Sequence, residues 1–398
     1  MEIIKIKVIR DELKKEKFFM LEIKKFNKQN AGITLIALII TIIVLLILAG
    51  VSIAMLTGNN GILIQTKVAK ENIQAAKGNE ENKLASNNNY INEQLGNAVP
   101  GEIVSETKKD NYVDSNGDKA TVPAGFTVSK IAEEQKVSEG LVIYDIPKSE
   151  IENVDWTTKN ADGAYNVQTL YNQFVWIPVA SEDMYQRDFS YPNGFSSSAK
   201  NTFTDIGYLP IDLQPATDDA INNETAERNA VLKYNGFYIA RYEAGQDDSN
   251  VVSKQNAIVY TNKPQTDFKV LGKTMYGESS IYVKSAMCSG IQWDMVMKFV
   301  DGKTDGGGNT YNVRIYNPSR HKGDKTEAGK NIADKVQNIY DLEGNCWEYV
   351  AEKNNTKDPF VYRGGAYDYS SYKRASTRLN NNCGANSYAT FRPVFYIK

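Results

Sequence analysis

One uninterrupted apolar run dominates the hydrophobic pattern at the start of the chain. No charged residue occurs between Lys28 and Lys67, and the run "AGITLIALIITIIVLLILAGVSIAML" fills Ala31 to Leu56. As a helix, residues 33–56 would extend about 36 Å, enough to cross a hydrocarbon layer of about 30 Å. The first thirty residues hold nine Lys and Arg against five Asp and Glu. The pattern therefore predicts a single-pass membrane protein with a cytoplasmic N-terminus and an extracellular C-terminal region.

Beyond Leu56 the apolar residues become sparse but keep a loose helical spacing. They are Ile64, Val68, Ala75, Leu84, Ile91 and Leu95. This spacing predicts a polar helical stalk that continues to about residue 95. Gly, Pro and charged residues between 96 and 109 then predict a linker.

From about Asn111 short apolar runs alternate with turns. The runs "FVWIPV" (Phe174–Val179) and "GFYIARYEAG" (Gly236–Gly245) predict buried strands, and Ser289–Val300 has the spacing of an amphipathic helix. We expect an α+β fold class, with a long N-terminal transmembrane and stalk helix followed by a globular domain. The expected division is a basic leader at 1–32, membrane helix and stalk at 33–95, a linker and β-hairpin region at 96–165, and the domain at 166–398.

Composition narrows the chemistry. The net charge is −2 over 398 residues, so no basic field points to a nucleic-acid partner. The chain has one histidine, His321, and its cysteines, Cys288, Cys346 and Cys383, form no C-x-x-C pair. A zinc ribbon or a histidine-based metal site is therefore not expected. The three thiols are either buried and unpaired, or one disulfide and one free thiol.

The stretch "NAGITLIALIITIIVLLILAG" resembles the N-terminus of type IV prepilins. The resemblance implies cleavage between Gly32 and Ile33 by a prepilin peptidase, and packing of the helix among pilus subunits. Ala37 stands where that family has an acidic residue at the fifth mature position. An uncleaved membrane anchor is therefore the alternative.

Several later motifs resemble the formylglycine-generating, sulfatase-modifying enzyme family, whose domain is a variant of the C-type lectin fold. They include "YDLEGNCWEY", "VYRGGAY" and "FRPVFYI", and the resemblance covers about Asn172 to Lys398. The matching positions are Gly344, Asn345, Cys346, Trp347, Glu348, Arg363, Gly364, Gly365, Arg378, Phe391 and Arg392. We expect structural roles for these residues in a C-type lectin-like domain.

The same resemblance implies a calcium ion. Its ligands would be the Glu348 side chain and the carbonyls of Glu343, Gly344 and Cys346, since oxygen-rich ligation suits calcium. A loop held only by hydrogen bonds is the alternative.

The resemblance also bears on catalysis. Family members that act on sulfatases carry two cysteines between the RGG stretch and the later arginines, and these cysteines bind copper. Here that interval, Ala366 to Lys373, contains no thiol. Copper(I) prefers thiolate ligands, so we expect no copper and no enzyme activity.

Without that chemistry, the segment Tyr367–Tyr388 has the Tyr, Ser, Asn and Gly composition of antibody binding loops. The candidate ligand-binding residues are Tyr367, Asp368, Tyr369, Tyr372, Lys373, Arg374, Asn380, Asn381, Asn382, Asn386 and Tyr388. An ordinary polar loop would have a similar composition.

We therefore expect a pilin-like, membrane-anchored cell-surface protein whose non-catalytic lectin-type domain serves adhesion or recognition. Its partner would be an extracellular protein or glycan. The alternatives are a sulfatase-modifying-type oxidase, a minor structural pilin, and a variable binding protein of a diversity-generating retroelement.

Overall fold

The computed structural model describes most of the chain after residue 61. The described residues are 17, 38–48, 62–95, 97–105, 107–188, 203–205, 227–277, 280–320, 323–354, 360–367, 373–381 and 384–398. They fall into two compact units, Met1–Glu80 and Glu81–Lys398. The protein is a mixed α+β structure with several sheets.

The structure corrects the prediction of a membrane-spanning helix. Among the described residues, no helix is both long enough and apolar enough to cross a membrane. Residues 38–48 are helical but span only about 16 Å, and the helix Ile62–Leu95 is long but carries charges throughout. This finding overturns the predicted single-pass membrane location and the pilin-like anchor. The proposed cleavage site at Gly32 and Ile33 lies outside the described residues.

The helices differ in how much of their surface is buried. They are α1 (Ile62–Leu95), α2 (Asn166–Leu170), α3 (Gln265–Thr274) and α4 (Gly290–Val300), and residues 227–234 are also helical. α4 begins with a capping box, in which the Ser289 side chain accepts from the Gln292 backbone and the Gln292 side chain accepts from the Ser289 backbone. Nearly all of α4 is buried, so its polar residue Asp294 lies inside the protein.

The strands are short and mostly antiparallel. In chain order they are β1 (Asp110–Val113), β2 (Lys119–Val122), β3 (Thr127–Val128), β4 (Val142–Tyr144), β5 (Gln173–Pro178), β6 (Phe203–Asp205), β7 (Gly236–Ala240), β8 (Gly245–Asp247), β9 (Asn250–Val252), β10 (Ile258–Val259), β11 (Val283–Met287), β12 (Trp347–Asn354), β13 (Phe360–Arg363), β14 (Arg378–Asn381), β15 (Ala389–Phe391) and β16 (Pro393–Ile397).

A six-stranded antiparallel sheet forms the centre, in the order β11-β16-β7-β5-β4-β3. Successive residues of β5 point to opposite faces. Val175 and Ile177 pack with Trp293 of α4 on one face, while Phe174 and Trp176 join an aromatic cluster on the other. Because both faces are covered, β5 and β7 read in sequence as continuous apolar runs.

A second sheet carries the motifs that the sequence singled out. Its order is β14-β13-β12-β15, with β6 also paired to β12. The neighbours are antiparallel except β12 and β15, which run parallel. Glu348 on β12 lies opposite Arg363 on one side and Thr390 on the other. Two smaller sheets, β1-β2 and β10-β8-β9, complete the described strands.

Candidate functional site

The "EGNCWE" motif forms a tight turn that leads into β12. Gly344 and Asn345 both have positive φ, at 92° and 47°. A side chain at Gly344 would collide with the backbone carbonyl of Arg320, so glycine is required there for conformation and for space. The turn thus brings the segment around Arg320 directly against the motif.

The Glu348 carboxylate, which is the side chain expected at a calcium ion, faces an arginine instead, and so does the neighbouring Glu343 carboxylate. Arg392 donates to both carboxylate oxygens of Glu348, at 2.5 to 3.2 Å. Glu343 accepts from Arg320 at 2.9 Å and from the Asn317 backbone at 2.7 Å. All of these charged side chains are buried. Burial raises the pKa of Glu348, while Arg392 acts in the opposite direction.

This arrangement does not fit calcium ligation by the Glu348 side chain, because the Arg392 guanidinium holds both of its carboxylate oxygens. Within the described parts of the chain, no three His, Cys, Asp or Glu residues are grouped to hold a metal. The calcium ligation by Glu343, Gly344, Cys346 and Glu348 stays a prediction that the geometry does not support.

A second buried ionic cluster joins α4 to the β12-β13-β14 sheet. Arg363 and Arg378 donate to the two oxygens of Asp294, at 2.7 and 2.8 Å. Arg378 also donates to Glu352 at 3.0 Å. Burial lowers the pKa of Arg363 to about 10, and Arg378 beside it acts in the same direction. Arg363 and Arg378 therefore serve the scaffold, as does Gly364, whose φ is 82° and which precedes Gly365 with φ of 148°.

Glu243 is a central residue that the sequence analysis missed. Its carboxylate accepts from the Asn345 side chain at 2.5 Å and from the Cys346 backbone at 2.9 Å. Burial raises the pKa of Glu243 well above its ordinary value, and Asp341 and Glu348 raise it further. The available signal was an acidic residue inside the apolar run "GFYIARYEAG".

The cysteines of the described region are inert. Cys288 and Cys346 are free and buried. Burial raises the pKa of both thiols well above the ordinary value, so neither forms a thiolate readily. Cys383 lies outside the described residues.

A polar pocket of about 180 Å³ opens beside the motif turn. It is lined by Arg320, Asp324, Thr326, Lys330, Asn331, Asp334, Asp341, Asn345 and Tyr367. Asn345 connects the walls, because its side-chain oxygen accepts from the Thr326 backbone at 2.9 Å and its carbonyl accepts from the Tyr367 backbone at 2.8 Å. We call this the motif pocket.

Burial raises the pKa of Asp341 to about 7, although the Gly329 N–H donates to its carboxylate at 2.6 Å. A carboxyl group with this pKa is partly protonated near neutrality. In its protonated form this carboxyl group has one O–H donor besides its acceptor oxygen.

The predicted ligand-binding residues are spread over different environments. Tyr367 is half-buried and lines the motif pocket. Lys373 is buried, with its ammonium 5.7 Å from the Trp347 ring centre, so it belongs to the scaffold rather than to an open face. Arg374 and Tyr388 are half-buried.

The other described members of that set are Asn380, Asn381 and Asn386. The backbones of Asn380 and Asn381 pair with Val361 and Phe360. The Asn386 side chain donates to the Tyr362 hydroxyl at 2.8 Å. Asp368, Tyr369, Tyr372 and Asn382 lie outside the described residues. Of the predicted set, Tyr367 is the residue that lines the motif pocket.

Most of the pocket comes from one segment that the sequence analysis did not single out. Arg320, Asp324, Thr326, Lys330 and Asn331 lie in the run 318–334. Its charged and amide residues are typical of any solvated loop, so nothing in the sequence distinguishes them as a wall of a pocket.

Comparison with known proteins gives no family. No family model matches the chain, and no curated protein matches it. A solved structure titled "Crystal Structure of CarF" aligns with a TM-score of 0.29 and 16% identity, covering 41% of this chain and 87% of that chain. Similarity at this level carries no argument about fold or function, so the resemblance to formylglycine-generating enzymes stays a prediction.

Proposed function

We propose that Glu81–Lys398 is a non-catalytic recognition domain that binds the polar face of a glycan in the motif pocket. The observation that carries the proposal is the lining of that pocket, where carboxylate, amide, hydroxyl and ammonium groups converge around one aromatic ring. Ligand sites are concave and use a few converging polar groups to fix orientation. Sugar hydroxyls both donate and accept, which matches this mixture.

The rigidity of the surrounding scaffold supports binding. Glu243 accepts hydrogen bonds from the motif turn. Asp294 forms ion pairs with Arg363 and Arg378 of the second sheet. A pocket on a rigid frame loses little conformational entropy when a ligand binds. Tyr367 is anchored on both sides of its peptide, since its carbonyl also accepts from the Gly323 backbone at 3.1 Å.

The state of the thiols supports a non-catalytic role. Cys288 and Cys346 are buried with raised pKa values, and the interval from Ala366 to Lys373 has no cysteine. The paired sulfurs of the oxidases are therefore missing from the position at which the resemblance would put them.

Arrays of glycans and of peptides, probed with the full-length chain, test the proposal. We expect saturable binding to glycans that is lost in Tyr367→Ala. The matched control is Tyr90→Ala, which removes an exposed tyrosine of α1 far from the motif in sequence. Binding to peptides alone, or glycan binding that survives Tyr367→Ala, would contradict the proposal.

A further inference from the structure

A second pocket lies on the other side of the segment 330–341. It has a volume of about 90 Å³, and its lining includes Lys159, Tyr165, Arg241, Lys335 and Tyr340. We call it the lysine pocket. It shares no lining residue with the motif pocket.

Positive charge in the lysine pocket is only partly neutralised. The charge of Arg241 is already paired, because its guanidinium lies 2.5 Å from the Glu134 carboxylate, and its Nε donates to the Asn338 carbonyl. The Glu134 carboxylate also accepts hydrogen bonds from Ser129, Tyr144 and Gln168, at 2.6 to 2.9 Å. Three cations, Lys159, Arg241 and Lys335, thus stand against two carboxylates, Glu133 and Glu134, which leaves one excess positive charge.

The contacts of the two lysines differ from those of Arg241. Among the described residues, neither Lys159 nor Lys335 has an acidic group at ion-pair distance. The Lys159 ammonium lies 4.4 Å from the centre of the Tyr165 ring. That contact holds the charge at the pocket without neutralising it.

The backbone around each lysine is fixed. Lys159 bridges to Tyr165 across a turn closed by Asn160, whose N–H donates to the Ala164 carbonyl at 2.8 Å. The Lys335 carbonyl accepts from the Gly306 backbone at 2.7 Å. The two side chains therefore enter the pocket from anchored positions.

The electrostatics agree with this geometry. Burial lowers the pKa of Lys335, and the neighbouring charges of Arg241 and Lys159 lower it further, against the opposing effect of Glu134 and Glu133. A bound anion would relieve this repulsion. Lysine binds such groups as a point charge, without the fixed fork of arginine.

We propose that the lysine pocket binds the oxyanion of a small ligand, a phosphate or carboxylate group, between Lys159 and Lys335. Tyr165, Tyr340 and the paired Arg241 also line this pocket. This site is separate from the motif pocket, so the experiments on one pocket do not decide the proposal for the other.

Thermal unfolding of the full-length chain tests the site, with sodium phosphate or sodium acetate titrated against sodium chloride at constant ionic strength. We expect a saturable rise in Tm with at least one of the two oxyanions, because a ligand that binds only the folded state stabilises it. A rise in Tm with phosphate alone indicates a phosphate site, and a rise with acetate alone indicates a carboxylate site. No saturable rise with either anion would overturn the proposal.

Substitutions of the two lysines test whether the anion binds between them. Lys159→Gln and Lys335→Gln should each weaken the apparent affinity about tenfold, which is about 1.4 kcal/mol. The control is Lys303→Gln, an exposed lysine that lines neither pocket. If Lys335→Gln destabilises the fold, Lys159→Gln decides, because Lys159 is exposed. An unchanged rise in the double variant places the anion elsewhere and rejects the site.

NMR titration of the lysine side chains gives a second readout. Saturation with the active anion should raise the pKa of Lys335, since the anion favours the charged ammonium. A pKa of Lys335 that stays constant through saturation argues against contact with the anion.

Discussion

The ionic clusters of the interior and the lysine pocket differ in whether their charged side chains meet partners of opposite charge. Inside, Arg363 and Arg378 face Asp294, and Arg392 faces Glu348, so the charges meet opposite partners and stabilise the scaffold. In the lysine pocket, Lys159 and Lys335 have no such partners among the residues that the structure describes. The two regions therefore differ in pairing: the paired arginines stabilise the scaffold, and the two lysines are the charges that we propose to bind an anion.

The largest expected effect comes from breaking the interior. Asp294→Asn leaves Arg363 and Arg378 as buried cations, and removing one partner of a buried pair costs about 3–5 kcal/mol. The free energy of unfolding in urea should fall by that amount. Asp247→Asn is the control, because its pair with Lys254 is exposed and worth at most about 1 kcal/mol. Equal losses in the two variants would contradict the distinction.

A smaller loss is expected at the motif turn. Gly344→Ala adds a methyl group against the Arg320 carbonyl at a positive φ, and such strain costs about 1–3 kcal/mol. Gly117→Ala is a matched control, since Gly117 has φ of 85° but open space around it. Urea unfolding should show the greater loss for Gly344→Ala. A loss no larger than that of Gly117→Ala would mean that the close approach of the backbone is unimportant.

The acidic residues around the turn predict a pH dependence. Burial raises the pKa of Asp341 from 3.8 to about 7, so the folded state retains a proton that the unfolded state releases. The contribution of Asp341 to the free energy of unfolding should therefore fall as pH rises through about 4 to 7. Asp341→Asn should reduce this slope, while Asp118→Asn, at an exposed aspartate, should not. An unchanged slope in Asp341→Asn would exclude Asp341 as its source.

Sequence patterns predicted the core elements well. The run "FVWIPV" became β5, and the predicted helix at Ser289–Val300 became α4 at Gly290–Val300. These elements are buried, and burial leaves a periodic or continuous apolar signal in the sequence. The predicted membrane helix was wrong, because no described helix combines the length with the apolar character that a span requires.

The pockets were not predictable in the same way. Asn345 meets Glu243 across about a hundred residues of sequence, and Glu343 meets Arg320 through a turn that depends on Gly344. Such pairings arise from the tertiary fold and leave no local pattern. Lys159 and Lys335 likewise come from separate loops, each of which has an ordinary polar composition.

The exposed part of the motif-pocket lining should bind the ligand without stabilising the fold, unlike the buried lining residues Arg320, Asp341 and Asn345. Asp324→Ala tests it directly, because Asp324 is an exposed residue of that lining. For the glycan identified on the array, titration should show about a tenfold loss of affinity. The free energy of unfolding, measured on the same sample, should stay within about 0.5 kcal/mol of the parent. Unchanged affinity, or a clear loss of stability, would contradict the account.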